Sequence, residues 1–119
     1  MTTDALHFFG KVYHHKFIVL KFLNTMIHDL IRRGETHDDS KFSDDEFDEY
    51  VKATQEFQGP YGTEQNDAVR EKYKALFERH ARRNSHHPEH YPDGVDGMTL
   101  MDIMEMLRYW KKKKVSMEN

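Results

Sequence analysis

The chain has 119 residues, a formal net charge of −3 with histidine neutral, and no cysteine. This length allows one domain with a modest core, and the slight negative charge gives no general reason to expect nucleic-acid binding. Without cysteine, neither a disulfide nor a thiolate metal site can form, so any metal must be bound by nitrogen and oxygen ligands.

The sequence predicts neither a signal peptide nor a membrane span. The N-terminus has no basic segment followed by an uninterrupted apolar stretch, which argues against a signal peptide. The longest apolar run, residues 17–20, is far too short to span a bilayer. We therefore expect a cytoplasmic protein without membrane contact. The composition has one unusual feature, because nine histidines are dispersed along a short chain.

Residues 4–33 are predicted to form a long helix, with Thr3 as N-cap and Gly34 just after its last turn. Apolar residues repeat along one side of this helix: Phe8, Val12, Val19, Phe22, Leu23, Met26 and Leu30. His15 falls within this stripe and is expected to face the core, whereas His14 is expected to face solvent. A single inward histidine is more often a structural residue bonded to a carbonyl group than a ligand.

The segment of residues 36–42, Thr-His-Asp-Asp-Ser-Lys-Phe, follows this helix and contains the pair His37-Asp38. A neutral imidazole and a carboxylate both suit a divalent first-row metal, and neighbouring residues can approach one ion from two sides. Such pairs also occur by chance, so the weight of the argument comes from the other histidines. In chain order they are His15, His80, His86, His87 and His90.

Ser43 and Glu46 form a capping-box pattern that predicts a second helix, ending near residue 58. Its inward residues are predicted to be Phe47, Tyr50, Val51, Thr54 and Phe57.

A third helix is predicted over residues 64–84, with Thr63 as N-cap. Its apolar stripe consists of Val69, Tyr73, Leu76 and Phe77, and the next inward position along it is His80. His15 and His80 both lie on apolar faces, and they belong to separate helices. Two such histidines favour a metal site more strongly than one does.

Residues 85–98 are predicted to form a loop because they contain two prolines and two Asp/Gly turns. Four potential ligands lie close together in it: His86, His87, Glu89 and His90. This pattern fits either part of a metal site or an exposed polar loop.

The last helix is predicted over residues 99–113 and is apolar on nearly all sides, which is typical of a buried helix. Asp102 and Glu105 interrupt it, and a buried carboxylate must be neutralised or paired with a cation. Thr99 and Asp102 also form a capping-box pattern, so two roles are open for Asp102. We slightly favour Asp102 as the last metal ligand, with Glu105 as a catalytic base that orients the site. The lysines at 111–114 fit a solvated helix end.

Together these elements predict an all-α, single-domain bundle of about four to five helices, with one or two divalent metal ions in its core. The predicted metal ligands are His15, His37, Asp38, His80, His86, His87 and Asp102. The metal itself, among Mn, Fe, Co, Ni and Zn, is left open.

The order of these residues resembles the HD-domain superfamily of metal-dependent phosphohydrolases. In that superfamily a helix histidine precedes a His-Asp pair, further histidines and a late aspartate. His37-Asp38 with Lys41 is similar to the His-Asp-x-x-Lys segment common there, and the resemblance covers most of the chain.

The chain also resembles a small family of uncharacterised phage and bacterial proteins. The shared segments are His15-Lys16, His-Asp-x-Ser-Lys-Phe at 37–42, Asn-x-His-His at 84–87 and Glu105-Met106. That family's pattern usually ends in Asp-Trp, whereas this chain has Tyr109-Trp110.

The resemblance to the HD domain implies hydrolysis of a phosphate ester, with a nucleotide as the expected substrate and Lys41 contacting its phosphate. Two alternatives stay open: a metal- or nucleotide-binding helical protein without catalysis, and a di-iron oxygenase. The residues do not determine the oligomeric state.

Overall fold

The computed structural model describes residues 1–60 and 62–107. Over these residues it contains five α-helices and no β-strand, which confirms the predicted all-α fold. The helices are α1 (Thr3–Thr36), α2 (Phe47–Glu56), α3 (Glu64–Lys72), α4 (Lys74–Arg83) and α5, which begins at residue 100 and is described to residue 107. None of the helices in the described ranges is long and apolar enough to cross a membrane.

The chain divides into two compact units, Met1–Glu35 and the residues from Thr36 onward. Helix α1 forms nearly all of the first unit, and none of its residues is buried. The predictions of a single domain and of a core-facing His15 therefore stay predictions.

Both predicted ends of α1 are shifted in the structure. Its first turn is capped by Thr2 rather than Thr3, because Thr2 Oγ1 accepts a hydrogen bond from the Ala5 amide at 3.1 Å. The helix continues through Gly34 to Thr36. Gly34 does not adopt the left-handed conformation that would end a helix there.

The capping box predicted at the start of α2 does not form. The Ser43 hydroxyl donates to the Ser40 carbonyl oxygen at 2.6 Å, and the helix begins only at Phe47. Glu46 precedes the first helical residue, makes no capping hydrogen bond with its side chain and is fully buried.

Fewer residues of α2 face inward than predicted, and the ones that do lie towards α4. The rings of Tyr50 and Phe57 lie 5.9 and 6.3 Å from the ring of Phe77, and Ala53 is the buried residue of the helix. Three residues predicted to face inward are instead exposed: Phe47, Val51 and Thr54. The inward face is therefore narrow.

The helix predicted over 64–84 is divided into α3 and α4 at Tyr73, whose φ of −102° and ψ of 18° leave the helical region. The predicted cap is confirmed, since Thr63 accepts a hydrogen bond from the Asn66 amide. The predicted stripe is also confirmed at its main positions: Val69, Leu76 and His80 are buried.

The segment between α4 and α5 is a loop, as predicted, with short 3-10 turns at Pro88–His90 and Gly94–Gly97. Helix α5 is less buried than predicted over its described part. Met98, Asp102 and Met106 are buried, whereas Leu100 and Leu107 are more than half exposed. Tyr109, Trp110 and the lysines at 111–114 lie outside the described residues.

We predict that Leu76→Ala lowers the free energy of unfolding by about 2–5 kcal/mol, because Leu76 is 1% exposed and its removal leaves a cavity. Leu100→Ala is the matched control, since Leu100 is 61% exposed and its loss should change stability by less than about 0.5 kcal/mol. Urea denaturation followed by circular dichroism measures both, and equal losses would contradict the described core.

Candidate metal centre

The side chains of His37 and Asp38 are placed by a tight turn at the end of α1. Asp38 has a φ of 61°, in the left-handed region that an L-residue rarely adopts and that aspartate tolerates better than most. A 3-10 turn over Asp39–Phe42 follows, closed by a 2.9 Å hydrogen bond from the Lys41 amide to the Asp38 carbonyl oxygen. Strained backbone of this kind is common at functional sites.

Three imidazoles converge on one oxygen of Asp38. Oδ1 of this carboxylate lies 3.0 Å from Nε2 of His86, 3.1 Å from Nε2 of His80 and 3.6 Å from Nε2 of His37. Two ligand atoms that are each ~2.1 Å from an ion and at right angles to one another are ~3.0 Å apart. The spacing of these atoms therefore fits a shared divalent ion.

Nε2 of His86 gives a second indication. This atom is buried and, among the described residues, has no hydrogen-bond partner, although it lies 3.0 Å from Asp38 Oδ1. Buried polar atoms are nearly always hydrogen-bonded, so an unpaired one calls for an explanation. A metal ion held between the nitrogen and the carboxylate would satisfy both atoms.

The carboxyl group of Asp38 is held in its ionised form. Burial alone would raise its pKa, but the contacts with His80, His86 and Lys41 outweigh this effect and lower the pKa far below its usual range. Lys41 contributes through its ammonium group, which lies 2.8 Å from Asp38 Oδ2. The opposite oxygen, Oδ1, therefore carries negative charge towards the imidazoles.

His87 lies beside this group as a neutral imidazole. Its ring centroid is 4.3 Å from that of His86 and 5.2 Å from that of His80. Burial, followed by the nearby imidazoles of His86 and His80, lowers its pKa to about 4. Asp38, His80, His86 and His87 each offer a ligand atom within 4.8 Å of the others. Four of the predicted metal ligands are therefore brought together.

Glu105 joins the cluster on the side of His37 and His86. Its Oε1 lies 2.9 Å from Nδ1 of His37 and 3.2 Å from Nδ1 of His86. These three residues form a second group whose ligand atoms are close enough to hold an ion. Glu105 also contacts the two rings at the nitrogens that do not face Asp38. It can therefore either bind a metal itself or orient the histidines.

The structure places the two candidate late carboxylates, Asp102 and Glu105, in different surroundings. Asp102 Oδ2 accepts hydrogen bonds from the Tyr91 hydroxyl at 2.7 Å and the Thr99 amide at 2.9 Å. The Asp102 amide in turn donates to Thr99 Oγ1 at 3.2 Å, which completes a capping box. Asp102 thus caps α5, whereas Glu105 lies beside His37 and His86. The role of Asp102 as a metal ligand stays a prediction.

The prediction also included the histidines His15 and His90. His15 belongs to the first unit, so its role as a ligand stays a prediction. His90 Nδ1 lies 2.6 Å from the Arg82 carbonyl oxygen, to which it donates. His90 therefore anchors the loop to the end of α4.

Sequence reasoning missed the polar residues behind His80. Its Nδ1 lies 3.2 Å from Glu46 Oε2 and 3.2 Å from Ser40 Oγ. Arg83 and Asn84 complete this group through contacts with Glu46 and Ser40. Ser40 and Asn84 belong to the His-Asp-x-Ser-Lys-Phe and Asn-x-His-His segments. Glu46 matched only a capping pattern, so the sequence did not indicate its contact with His80.

The chain belongs to DUF5662, a family of unknown function, which it matches over residues 4–117. It matches no curated protein and no solved structure. The family relationship covers every residue of the cluster and assigns none of them a role.

We predict opposite effects for changes at the two carboxylates of α5. Asp102→Ala should lower the free energy of unfolding by about 0.5–2 kcal/mol through loss of the cap, and leave the affinity for Zn²⁺ unchanged. Glu105→Gln should leave stability nearly unchanged and weaken Zn²⁺ binding about 10–100-fold. Urea denaturation and isothermal titration calorimetry separate the two effects. Loss of metal in the Asp102 variant alone would restore Asp102 as the ligand.

The neighbouring histidines of α1 provide a test of the predicted ligand His15. If His15 binds the metal, His15→Ala should weaken Zn²⁺ binding about 10-fold or more, whereas His14→Ala should have no effect. Both substitutions remove one imidazole from the same helix, so the difference between the two calorimetric affinities isolates the ligand. Equal affinities would remove His15 from the ligand set.

Proposed function

We propose that the chain is a metal-dependent phosphohydrolase that acts on a nucleotide-type phosphate ester. The observation that carries this proposal is the convergence of three imidazole Nε2 atoms on Asp38 Oδ1, within 3.0–3.6 Å. The resemblance of His37-Asp38 and Lys41 to the His-Asp-x-x-Lys segment of HD-domain phosphohydrolases supports the choice of reaction.

Asp38, His80 and His86 would hold the ion, with His37 or His87 as a further ligand. A bound divalent metal lowers the pKa of a coordinated water and neutralises phosphoryl oxygens. Nitrogen and oxygen ligands of this kind suit Mn, Fe, Co, Ni or Zn.

Access to the cluster differs from one ligand to the next. The side chains of His80 and His86 are 5% and 7% exposed, whereas those of His37 and Lys41 are 39% and 37% exposed. A substrate would therefore approach from the side of His37 and Lys41, while His80 and His86 form the closed back of the site. This arrangement keeps one side of Asp38 accessible.

The proposal assigns the contact with the substrate phosphate to Lys41. Its ammonium lies 2.8 Å from Asp38 Oδ2 and 5.1 Å from the centroid of the Tyr50 ring. These contacts hold a positive charge next to the proposed ion, where it would bind a non-bridging phosphate oxygen as a point charge. The proposed role of Lys41 is therefore to bind and orient the substrate phosphate.

A metal-binding protein without catalysis is the second candidate. The ion pair between Lys41 and Asp38 favours this candidate, because a lysine that is already paired at 2.8 Å is less available to a substrate. The two candidates share the metal site and differ in whether Lys41 serves turnover.

We predict that Asp38→Ala abolishes metal binding and hydrolysis, whereas Lys41→Ala retains the metal and lowers kcat by about 100-fold or more. The three imidazoles all contact Asp38 Oδ1, whereas Lys41 contacts only the other oxygen, Oδ2. The measurement is metal content by elemental analysis, together with hydrolysis of phosphomonoesters, phosphodiesters and nucleotides after loading with Mn²⁺, Co²⁺, Ni²⁺ or Zn²⁺.

Lys52→Ala is the control, since Lys52 is an exposed lysine on α2 and its loss should change neither property. A parent protein that loads metal but hydrolyses none of these substrates would favour the non-catalytic candidate. A parent that loads no metal would contradict both candidates. Unchanged turnover in Lys41→Ala would remove the phosphate contact.

A further inference from the structure

Glu46 is a fully buried carboxylate that neither the predicted capping box nor the proposed reaction explains. It is 0% exposed, and its side chain makes no capping hydrogen bond at the start of α2. Burial of a carboxylate is costly unless it is paired and hydrogen-bonded. Its Oε1 lies 3.2 Å from an Arg83 guanidinium nitrogen, and its Oε2 lies 3.2 Å from His80 Nδ1.

The hydrogen bonds around His80 determine which of its nitrogens carries a proton. Asn84 Nδ2 lies 2.8 Å from the His80 carbonyl oxygen, which can only accept, so this atom is the amide nitrogen. Its second hydrogen is donated to Ser40 Oγ at 2.9 Å. Both amide hydrogens are therefore used, and Asn84 has none left for His80 Nδ1.

The hydroxyl of Ser40 lies beside both Glu46 and His80. Its oxygen accepts from Asn84 and lies 3.4 Å from Glu46 Oε2 and 3.2 Å from His80 Nδ1. The Glu46 carboxylate beside Arg83 only accepts. The remaining donor for the 3.2 Å contact between His80 and Glu46 is the Nδ1–H of His80 itself.

An imidazole that binds a metal is neutral, so a proton on Nδ1 leaves the lone pair of Nε2 directed towards Asp38 Oδ1, 3.1 Å away. A lone pair that faces a carboxylate oxygen at this distance is repelled unless a cation lies between them. This is the arrangement in which a carboxylate behind a histidine fixes the ring for metal binding.

We propose that Glu46 is a positioning residue that holds His80 as a metal ligand. It accepts the hydrogen of Nδ1, which fixes the ring and its tautomer and presents Nε2 to the ion beside Asp38. The guanidinium of Arg83 pairs with the other oxygen of Glu46 at 3.2 Å, which compensates the burial of this carboxylate. This inference rests on the proposed metal centre and adds a residue that touches neither the metal nor the substrate.

The same arrangement recurs on the other side of the cluster. Glu105 Oε1 faces Nδ1 of both His37 and His86, whose Nε2 atoms face Asp38. Each of the three imidazoles around Asp38 Oδ1 thus has a glutamate behind its other nitrogen. Two glutamates, Glu46 and Glu105, thus contact the Nδ1 atoms of all three rings.

The test compares Glu46→Ala and Glu46→Gln with Glu49→Gln, which removes a carboxylate of α2 that pairs with Arg79 at 3.0 Å instead. Calorimetric titration with Zn²⁺ should give an affinity about 10–100-fold weaker in Glu46→Ala. Glu46→Gln should lose less, because its amide oxygen still accepts from Nδ1. Glu49→Gln should match the parent. Circular dichroism identifies any variant that does not fold, and Glu46→Gln keeps the side-chain volume if Glu46→Ala fails.

A second measurement reports on positioning directly. In the zinc-loaded parent, which is diamagnetic, two-bond ¹H–¹⁵N spectra should show the His80 proton on Nδ1, assigned by its loss in His80→Gln. Glu46→Ala should lose the slow exchange of this proton with solvent, and Glu46→Gln, whose amide oxygen still accepts, should lose less of it. A merely structural role would require neither change. Unchanged affinity and an unchanged Nδ1 proton in folded Glu46 variants overturn the inference and leave the metal centre intact. A parent without zinc binding overturns the metal centre itself.

Discussion

The position of the Asp38 carboxylate is the constraint on which the candidate site depends. A left-handed residue between α1 and the following 3-10 turn places this group, and side chains from α4, the loop after it and α5 are arranged around it. His80 comes from α4 and His86 from the loop, and both are almost fully buried. Without the carboxylate, the Nε2 atoms of these two histidines would lose the oxygen that both contact.

The second unit has an unusually polar interior over residues 36–60 and 62–107. The buried apolar residues of these ranges are few: Ala53, Val69, Leu76, Ala81, Met98 and Met106. Its buried polar residues are nearly as many: Glu46, Asn66, His80, His86 and Asp102. Since a small apolar core stabilises a fold only modestly, these polar contacts carry part of the cohesion. An ion that binds only the folded chain would add to its stability by mass action.

Local sequence patterns predicted those parts of the fold whose partners lie nearby. The cap at Thr63 and the stripe that ends at His80 depend on residues within a turn or two, and both were confirmed. The boundary at Gly34 was wrong, because α1 runs on to Thr36. A glycine permits a left-handed helix end but does not impose one.

The two capping-box patterns show most clearly where local reasoning stops. Thr99 and Asp102 form the box, whereas Ser43 and Glu46 do not. The difference comes from His80, which lies 34 residues after Glu46 and binds its carboxylate. No local pattern contains that contact. The position of Glu105 depends on distant residues in the same way, because the histidines it contacts are His37 and His86, far from it in the sequence.

The spacing His-Asp-x-x-Lys also has a physical explanation in this turn. A 3-10 turn has about three residues per turn, so the residue three positions after Asp38 returns to the same side. Lys41 occupies that position and binds Asp38 Oδ2, while Oδ1 faces the imidazoles. The two oxygens of one carboxylate thus serve different partners. In the proposed site, Lys41 would keep its ion pair with Oδ2 while Oδ1 binds an ion. The lysine would then orient the Asp38 carboxylate and still lie next to the bound phosphate.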